Sequence, residues 1–94
     1  KYPAIRRDLS LTVGEQVPAQ AILDSIALVT GNLLVNLELF DEYRGEGIDS
    51  GRKSLTLGLT LQHSSRTLKE EEIEAVMTQV VSTLRSDLGA QLRQ

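Results

Sequence analysis

The chain has 94 residues, of which 40% are hydrophobic and 24% charged, a balance that excludes a disordered segment and fits one folded domain. It has no cysteine and only one histidine, which excludes disulfides, thiolate chemistry and zinc sites that depend on sulfur or on several histidines. The net charge of -3 argues against holding nucleic acid by general attraction to phosphate, so any such role needs a local site.

The first half of the chain predicts a strand, a helix and a second strand. Apolar and polar residues alternate in two segments, with the apolar positions at Leu9, Leu11 and Val13 and at Leu33, Val35, Leu37 and Leu39. A period of two predicts half-buried strands. Between these segments, Pro18 opens and Gly31 closes a stretch whose apolar residues recur every three or four positions, which predicts an amphipathic helix.

The second half predicts a strand, a helix and a short last strand. Leucines alternate with serine, threonine and glycine in the clearest strand pattern of the chain, at Leu55, Leu57, Leu59 and Leu61. Thr67-Leu68-Lys69-Glu70 predicts a capping box at the start of a long helix, and the acids at 70–72 suit the positive end of the helix dipole. Gly89 ends this helix, and residues 90–93 predict the last strand.

The order of these elements predicts the fold class. Strand, helix, strand, strand, helix, strand is the βαββαβ order of an α+β, ferredoxin-like fold. We therefore expect a two-layer sandwich, with a four-stranded antiparallel sheet and both helices on one face. The leucines should meet the helices, and a face of serine, threonine and glycine should remain open.

The open face of the predicted sheet is the first candidate site. Its small residues are Ser10, Thr12, Ser54, Thr56, Gly58 and Thr60. A shallow surface of this kind accepts flat nucleobases, which bring stacking and hydrogen bonds along their edges. The alternative is a solvated sheet face, which is common in two-layer folds.

The bend FDEYRGEGI, residues 40–48, is the second candidate site. Its glycines fit neither a phosphate-binding loop nor a dinucleotide fingerprint, so they predict a hairpin loop. Tyr43 offers a ring for stacking, Arg44 a planar cation for stacking or phosphate binding, and Asp41 an acceptor for the Watson–Crick edge of guanine. Because Asp41 and Tyr43 share parity with the buried leucines, we expect a bulge that turns them outward and Phe40 inward.

The remaining charged residues offer weaker signals. Arg6 with Arg7, and Arg52 with Lys53, form two basic spots that are either phosphate contacts or ordinary surface charge. The acidic run at 70–74 is explained by the start of a helix rather than by a metal site. The sequence predicts no catalytic residue and no metal ligands, and no apolar run approaches the roughly 18–20 residues that cross a bilayer.

Four motifs together resemble a known family. They are P-x-x-x-R-D at residues 3–8, F-D-x-Y-x-G at 40–45, G-x-K-S-L at 51–55 and R-T-L at 66–68. In this order and spacing they resemble the ferredoxin-fold anticodon-binding domain, the C-terminal domain of the beta subunit of bacterial phenylalanyl-tRNA synthetase. The resemblance covers nearly the whole chain. It implies one domain over residues 1–94, a C-terminal fragment of a longer beta subunit. The first residue, Lys1 rather than methionine, separately predicts either a domain cut from a longer protein or a trimmed chain.

The resemblance implies recognition of the anticodon stem-loop of the phenylalanine tRNA, without a catalytic residue, metal or cofactor in this domain. It implies a cytoplasmic parent enzyme that uses ATP and magnesium, pairs this subunit with an alpha subunit in an alpha2-beta2 heterotetramer, and has no membrane or DNA partner. Tyr43 would stack on the first anticodon base, Asp41 would read its edge, and Ser10 and Ser54 would line the other bases. The expected contacts to the RNA backbone are Arg44, Arg6 and Arg7.

Two other functions stay open at this point. A regulatory module that binds an amino acid needs a glycine-rich turn after the first strand, but residues 14–18 contain one glycine. A domain that only braces neighbouring subunits would use the same open face. The regulatory module would bind its amino acid between a helix and a strand, whereas the bracing domain differs from tRNA binding in what contacts the open face.

Overall fold

A computed structural model describes residues 2–93 and has the predicted order of elements. The strands are β1 (Ile5–Gly14), β2 (Leu34–Tyr43), β3 (Arg52–Leu61) and β4 (Gln91–Leu92), and the helices are α1 (Ala19–Thr30) and α2 (Glu70–Leu88), with a 3-10 turn at Gly31–Leu33. All strand pairs are antiparallel, in the sheet order β2-β3-β1-β4. The predicted ferredoxin-like fold is confirmed. Within residues 2–93, no helix is both long and apolar enough to cross a bilayer.

One face of the sheet is sealed by the two helices. The four leucines of β3 are fully buried, and Leu11 and Val13 of β1 lie beside them. Ile22 and Ile26 of α1, and Val80 and Leu84 of α2, pack onto this layer from above. Burying an aliphatic side chain of this size contributes roughly 1.5–3 kcal/mol, so this layer fixes the sheet on which the other face is built.

Helix α2 begins later than the sequence predicts. Its N-cap is Lys69, and the backbone N–H of Lys69 donates to the carboxylate of Glu72 over 2.9 Å. The predicted box at residues 67–70 is therefore wrong. The reason is Leu68, which is buried against Ile73 and fixes the chain in an extended form before the helix, as a hydrophobic staple does.

The end of α2 places the last strand against β1. Gly89 adopts a left-handed conformation with φ 68°, and its N–H donates to the carbonyl of Arg85. The chain then turns back, and β4 pairs with β1 at Leu92 and Gln91. The predicted last strand is confirmed in position, but its regular pairing covers only Gln91 and Leu92 rather than residues 90–93. Arg93 extends it by one hydrogen bond, from its N–H to the carbonyl of Ser10 over 2.9 Å.

Strand β2 carries two bulges, and each changes what faces the helices. The first lies between Leu34 and Asn36, so Val35 has no partner on β3. The prediction that Val35 joins the buried set is wrong, since it is 53% exposed. Leu34 packs against the core in its place. The second bulge lies at Phe40 and decides the geometry of the open face.

Candidate nucleic-acid interface

The open face is organised in rows that run across the strands, because residues paired in an antiparallel sheet point to the same side. We name three of them: the rim row (Tyr43, Ser54, Thr12), the central row (Asp41, Thr56, Ser10) and the glycine row (Glu38, Gly58, Asp8). On β3 these positions alternate with the buried leucines. The rows therefore lie opposite the helices, as the sequence predicts.

The bulge at Phe40 turns the hairpin residues outward. β2 pairs with β3 at Leu39 and again at Asp41, with Phe40 unpaired between them. Asp41 consequently lies opposite Thr56, and Tyr43 lies opposite Ser54. The predicted bulge and the outward position of both residues are confirmed.

The prediction that Phe40 points inward is wrong. Phe40 is 48% exposed, and its ring lies on the open face against Gly58. A β-carbon at Gly58 would be only 2.7 Å from a ring carbon of Phe40. The missing side chain of this glycine therefore gives the unpaired residue a place on the outside of the sheet.

Tyr43 is held at the rim by its own hairpin loop. Its hydroxyl donates to the carbonyl of Glu46 over 3.0 Å, and the side chain remains 40% exposed. Gly45 has a φ of 127° and no side chain, and a β-carbon there would lie 3.2 Å from the phenol oxygen. The loop glycine thus allows the ring to fold back on the turn. The result is an exposed aromatic with a fixed orientation.

Asp41 presents an acceptor beside this ring. It is exposed, and within residues 2–93 no hydrogen bond or salt bridge engages its carboxylate. Thr56 and Ser10, its neighbours in the central row, are half-buried hydroxyl groups that can donate and accept. The central row therefore offers a carboxyl group on the edge strand β2, followed across the sheet by the hydroxyls of Thr56 and Ser10.

Ser54 does not have the exposure that its position predicts. It is 2% exposed, and its hydroxyl accepts a hydrogen bond from Nη1 of Arg93 over 3.1 Å. Arg93 reaches this place because its backbone continues the pairing of β4 with β1. The sequence reasoning missed Arg93. The signal was the short last strand, since alternate residues beside β1 share its open face.

The arginines at positions 6 and 7 do not act as a pair. Successive residues of a strand point to opposite faces, so Arg6 lies on the open face and Arg7 on the helix side. Nη2 of Arg7 forms a 2.8 Å salt bridge with Glu70 in the first turn of α2. The expected backbone-contacting pair is therefore split, and only Arg6 shares a surface with Tyr43.

Comparison with known proteins decides the family. Residues 1–93 match the family described as the ferredoxin-fold anticodon binding domain. The chain belongs to that family. It is 50% identical over 93 residues to the phenylalanine–tRNA ligase beta subunit of Colwellia psychrerythraea, 40% over 94 residues to that of Methylococcus capsulatus and 45% over 93 residues to that of Pseudomonas fluorescens. These matches cover 99–100% of this chain and 12% of each relative.

In this anticodon-binding domain, Arg44 is balanced by two glutamates. Its guanidinium lies 3.1 Å from Glu42 and 3.3 Å from Glu15, which ties the hairpin loop to the turn after β1. Glu42 also accepts a 2.9 Å hydrogen bond from Lys53, and this bond, with the nearby positive charges, lowers the pKa of Glu42. Arg44 stays 47% exposed, so one side of it is open to solvent.

Arg52 and Lys53 do not form the exposed basic spot that the sequence suggests, because both cations are engaged inside the domain. Lys53 is 3% exposed and paired with Glu42, and Arg52 donates to the carbonyls of Thr12 and Gly89. Both cations therefore hold the domain together rather than face solvent as free charge. The G-x-K-S-L motif of this anticodon-binding domain thus has a structural use for its lysine.

Histidine and acidic side chains in residues 2–93 of the anticodon-binding domain show no arrangement typical of a catalytic or metal site. Within the described residues 2–93, no group of three His, Cys, Asp or Glu side chains is placed to hold a metal ion. The single histidine, His63, accepts the backbone N–H of Ser65 at Nδ1 over 3.0 Å and so closes a loop after β3.

Proposed function

We propose that this chain is the tRNA-reading domain of the beta subunit of a phenylalanine–tRNA ligase. In this role its open face binds the unpaired bases of the anticodon stem-loop of the phenylalanine tRNA. One observation carries the proposal: the bulge at Phe40 sets Tyr43 and Asp41 side by side on a flat face of small residues. An exposed ring beside an acceptor is the combination that single-stranded RNA recognition uses. The family match supports this function over a regulatory or bracing role.

Tyr43 stacks on the first anticodon base. Its ring is already fixed by the hydrogen bond to Glu46, so binding costs little side-chain entropy. Stacking of a base on an aromatic side chain contributes about 1–3 kcal/mol. This contact therefore adjusts the affinity for tRNA without supplying all of it.

Asp41 reads the edge of that same base. A carboxylate accepts two hydrogen bonds, which suits the N1 and N2 donors of guanine. Thr56 and Ser10 continue the row and can bond with the neighbouring bases. In the rim row, Arg93 rather than Ser54 contacts the bound base, because the guanidinium of Arg93 donates a hydrogen bond to the serine hydroxyl.

Contacts to the RNA backbone come from Arg44 rather than from the Arg6 and Arg7 pair. Arg44 lies next to Tyr43 in the chain and is half-exposed, so a phosphate of the bound loop can displace part of its pairing with Glu15. Arg7 is on the opposite face and bound to Glu70. We therefore assign no RNA contact to Arg7.

The rest of the parent enzyme supplies what this domain lacks. We propose that the aminoacylation site lies on an alpha subunit in a cytoplasmic alpha2-beta2 heterotetramer, which uses ATP and magnesium to charge tRNA for protein biosynthesis. The relatives' name and their greater length support this placement. An acidic domain of net charge -3 then needs to hold only a few bases, while other parts of the enzyme hold the phosphates.

The test is Tyr43→Ala in the whole heterotetrameric ligase. Loss of one stacked base should raise the KM for tRNA by at least about fivefold, the lower end of the range for base–aromatic stacking. Pyrophosphate exchange without tRNA checks that the catalytic site is intact in each preparation. Leu28→Ala is the matched control, because Leu28 is 86% exposed on α1, on the other layer. A KM like that of the control removes Tyr43 from base recognition.

Two further measurements separate the alternatives. A benzophenone crosslinker at position 43 should attach to the anticodon loop, whereas a bracing domain would attach it to another protein subunit. The 94-residue chain alone should bind tRNA weakly or undetectably, because it holds few phosphates. Submicromolar binding by the isolated chain would contradict that division of labour.

A further inference from the structure

A second planar surface lies on the open face, away from Tyr43. The guanidinium carbon of Arg6 is 4.8 Å from the centre of the Phe40 ring, within the range of a cation–π contact. Both groups rest on the backbone of Gly58. We name this unit, Arg6 with Phe40 on Gly58, the Arg6–Phe40 platform.

Gly58 is a glycine for reasons of space and not of backbone conformation. It is a regular strand residue paired with Asp8 and Glu38, and it is not among the glycines with positive φ. A β-carbon there would be 2.7 Å from the Phe40 ring and 2.8 Å from two guanidinium nitrogens of Arg6. Only a residue without a side chain lets both planar groups lie this close to the sheet.

The platform is ordered before anything binds to it. Nε of Arg6 donates to Asp8 over 3.0 Å, which holds the guanidinium beside the ring. Yet the Arg6 side chain is still 51% exposed, and Phe40 is 48% exposed. A phenylalanine that served the core would point toward the leucine layer. This one is held outside, with much of its surface open to solvent.

The platform and Tyr43 lie at opposite sides of the central row. Gly58 is four residues from Ser54 along β3, so the two aromatic sites are separated by roughly 13 Å at about 3.3 Å per residue. The central row of Asp41, Thr56 and Ser10 fills the interval. One strip of sheet thus has a stacking surface at each end and polar groups between them.

We infer that the Arg6–Phe40 platform is a second stacking site, which takes an unpaired nucleobase farther along the RNA strand than the base on Tyr43. The inference rests on the proposed function and deepens it. Arg6 then binds the face of a base together with Phe40, rather than a phosphate as the sequence predicts. Any base has a π-face, so this site adds affinity without selecting a sequence.

The test uses the whole ligase and a tRNA with 2-aminopurine at the third anticodon position, whose emission rises when the base is unstacked. Phe40→Leu keeps an apolar side chain but removes the ring. It should weaken tRNA binding by at least about fivefold and brighten the bound probe. Gly58→Ala should act in the same direction by displacing both planar groups. Leu28→Ala, the control on the helix layer, should do neither.

Arg6→Lys distinguishes stacking from phosphate binding. Lysine keeps the charge but loses the plane, so a stacking Arg6 predicts that Arg6→Lys binds as weakly as Arg6→Gln. Arg85→Gln, an exposed arginine on α2, is the control for a lost charge. If Arg6→Lys restores normal binding, Arg6 contacts phosphate and the platform is wrong.

The outcomes separate this inference from the proposed function. If Tyr43→Ala weakens tRNA binding while Phe40→Leu and Arg6→Gln do not, the second stacking site is contradicted and the anticodon-reading function is still supported. If none of these variants, Tyr43→Ala included, alters tRNA binding, the proposed function itself fails. Thermal unfolding of each variant checks that any loss is one of binding. A brighter probe in the Leu28→Ala enzyme would also overturn the inference, because it would mean general loosening.

Discussion

The two faces of strand β3 are made by different means. On the helix side, four leucines are each fully buried under side chains from both helices. On the other side, Ser54 and Gly58 are also buried, and side chains from distant parts of the chain contact them: Arg93 at Ser54, and Arg6 with Phe40 at Gly58. The open face therefore depends on a few individual side chains, and a change at one of them alters the surface without removing a leucine from the core.

The sharpest test of this contrast uses two neighbouring residues. Leu57→Ala leaves a cavity in the buried layer and should lower the free energy of unfolding by about 2–5 kcal/mol. Thr56→Ala, one residue away and on the open face, should cost no more than about 1 kcal/mol. Urea unfolding of both variants measures the difference. Equal losses would mean that the open face contributes to stability as much as the core does.

A second test concerns the ion pair at the end of the sheet. Glu42→Gln removes the anion beside Lys53, which is 3% exposed, and should lower the free energy of unfolding by about 1–3 kcal/mol. The pKa of Glu42 is lowered in the folded protein, so its contribution is present above the unfolded pKa and is lost on acidification.

Glu38→Gln is the matched control for that ion pair. Glu38 lies on the same strand and faces the open side, exposed, and its substitution should change stability by no more than about 0.5 kcal/mol. Urea unfolding at pH 7 compares the two variants. If Glu42→Gln proves as mild as Glu38→Gln, the buried lysine does not need its partner.

The smallest expected effect is at the start of α2. A hydrogen bond from Arg66, and a second from the backbone of Lys69, lower the pKa of Glu72 to about 2. Since the unfolded value is about 4.3, this contribution is complete above that pH and is lost as the pH falls toward 2. Unfolding by urea between those limits should show a shallower dependence on pH for Glu72→Gln. Parallel curves for the two proteins would contradict the assignment.

The leucine layer and the outward turn of the hairpin were predictable from the sequence. Alternation in β3 is strict, and a strict pattern leaves one register that buries the apolar side. The bulge was predictable because two patterns in β2 disagree. Strict alternation would place Asp41 and Tyr43 on the buried side with the leucines, whereas a carboxyl group and a base-stacking tyrosine belong on the exposed side. One unpaired residue, a β-bulge, satisfies both patterns, so the disagreement itself predicted where the bulge lies.

The remaining features depended on contacts between distant parts of the chain. Phe40 goes outward because a glycine stands across the sheet, eighteen residues later in the chain. Ser54 is buried because Arg93 arrives from the last strand. Helix α2 begins later than the sequence predicts because Leu68 is buried against Ile73 and stays outside the helix. Local periodicity does not carry such information.

Gly58 gives the open face an evolutionary fragility that the core lacks. Glycine and alanine codons differ by a single base, and the added methyl would collide with both planar groups above it. Leu57 and Leu59, on either side of Gly58, face the helices and are not among the side chains that the added methyl would meet. A single-base change at this position therefore alters the Arg6–Phe40 platform without removing any side chain from the leucine layer.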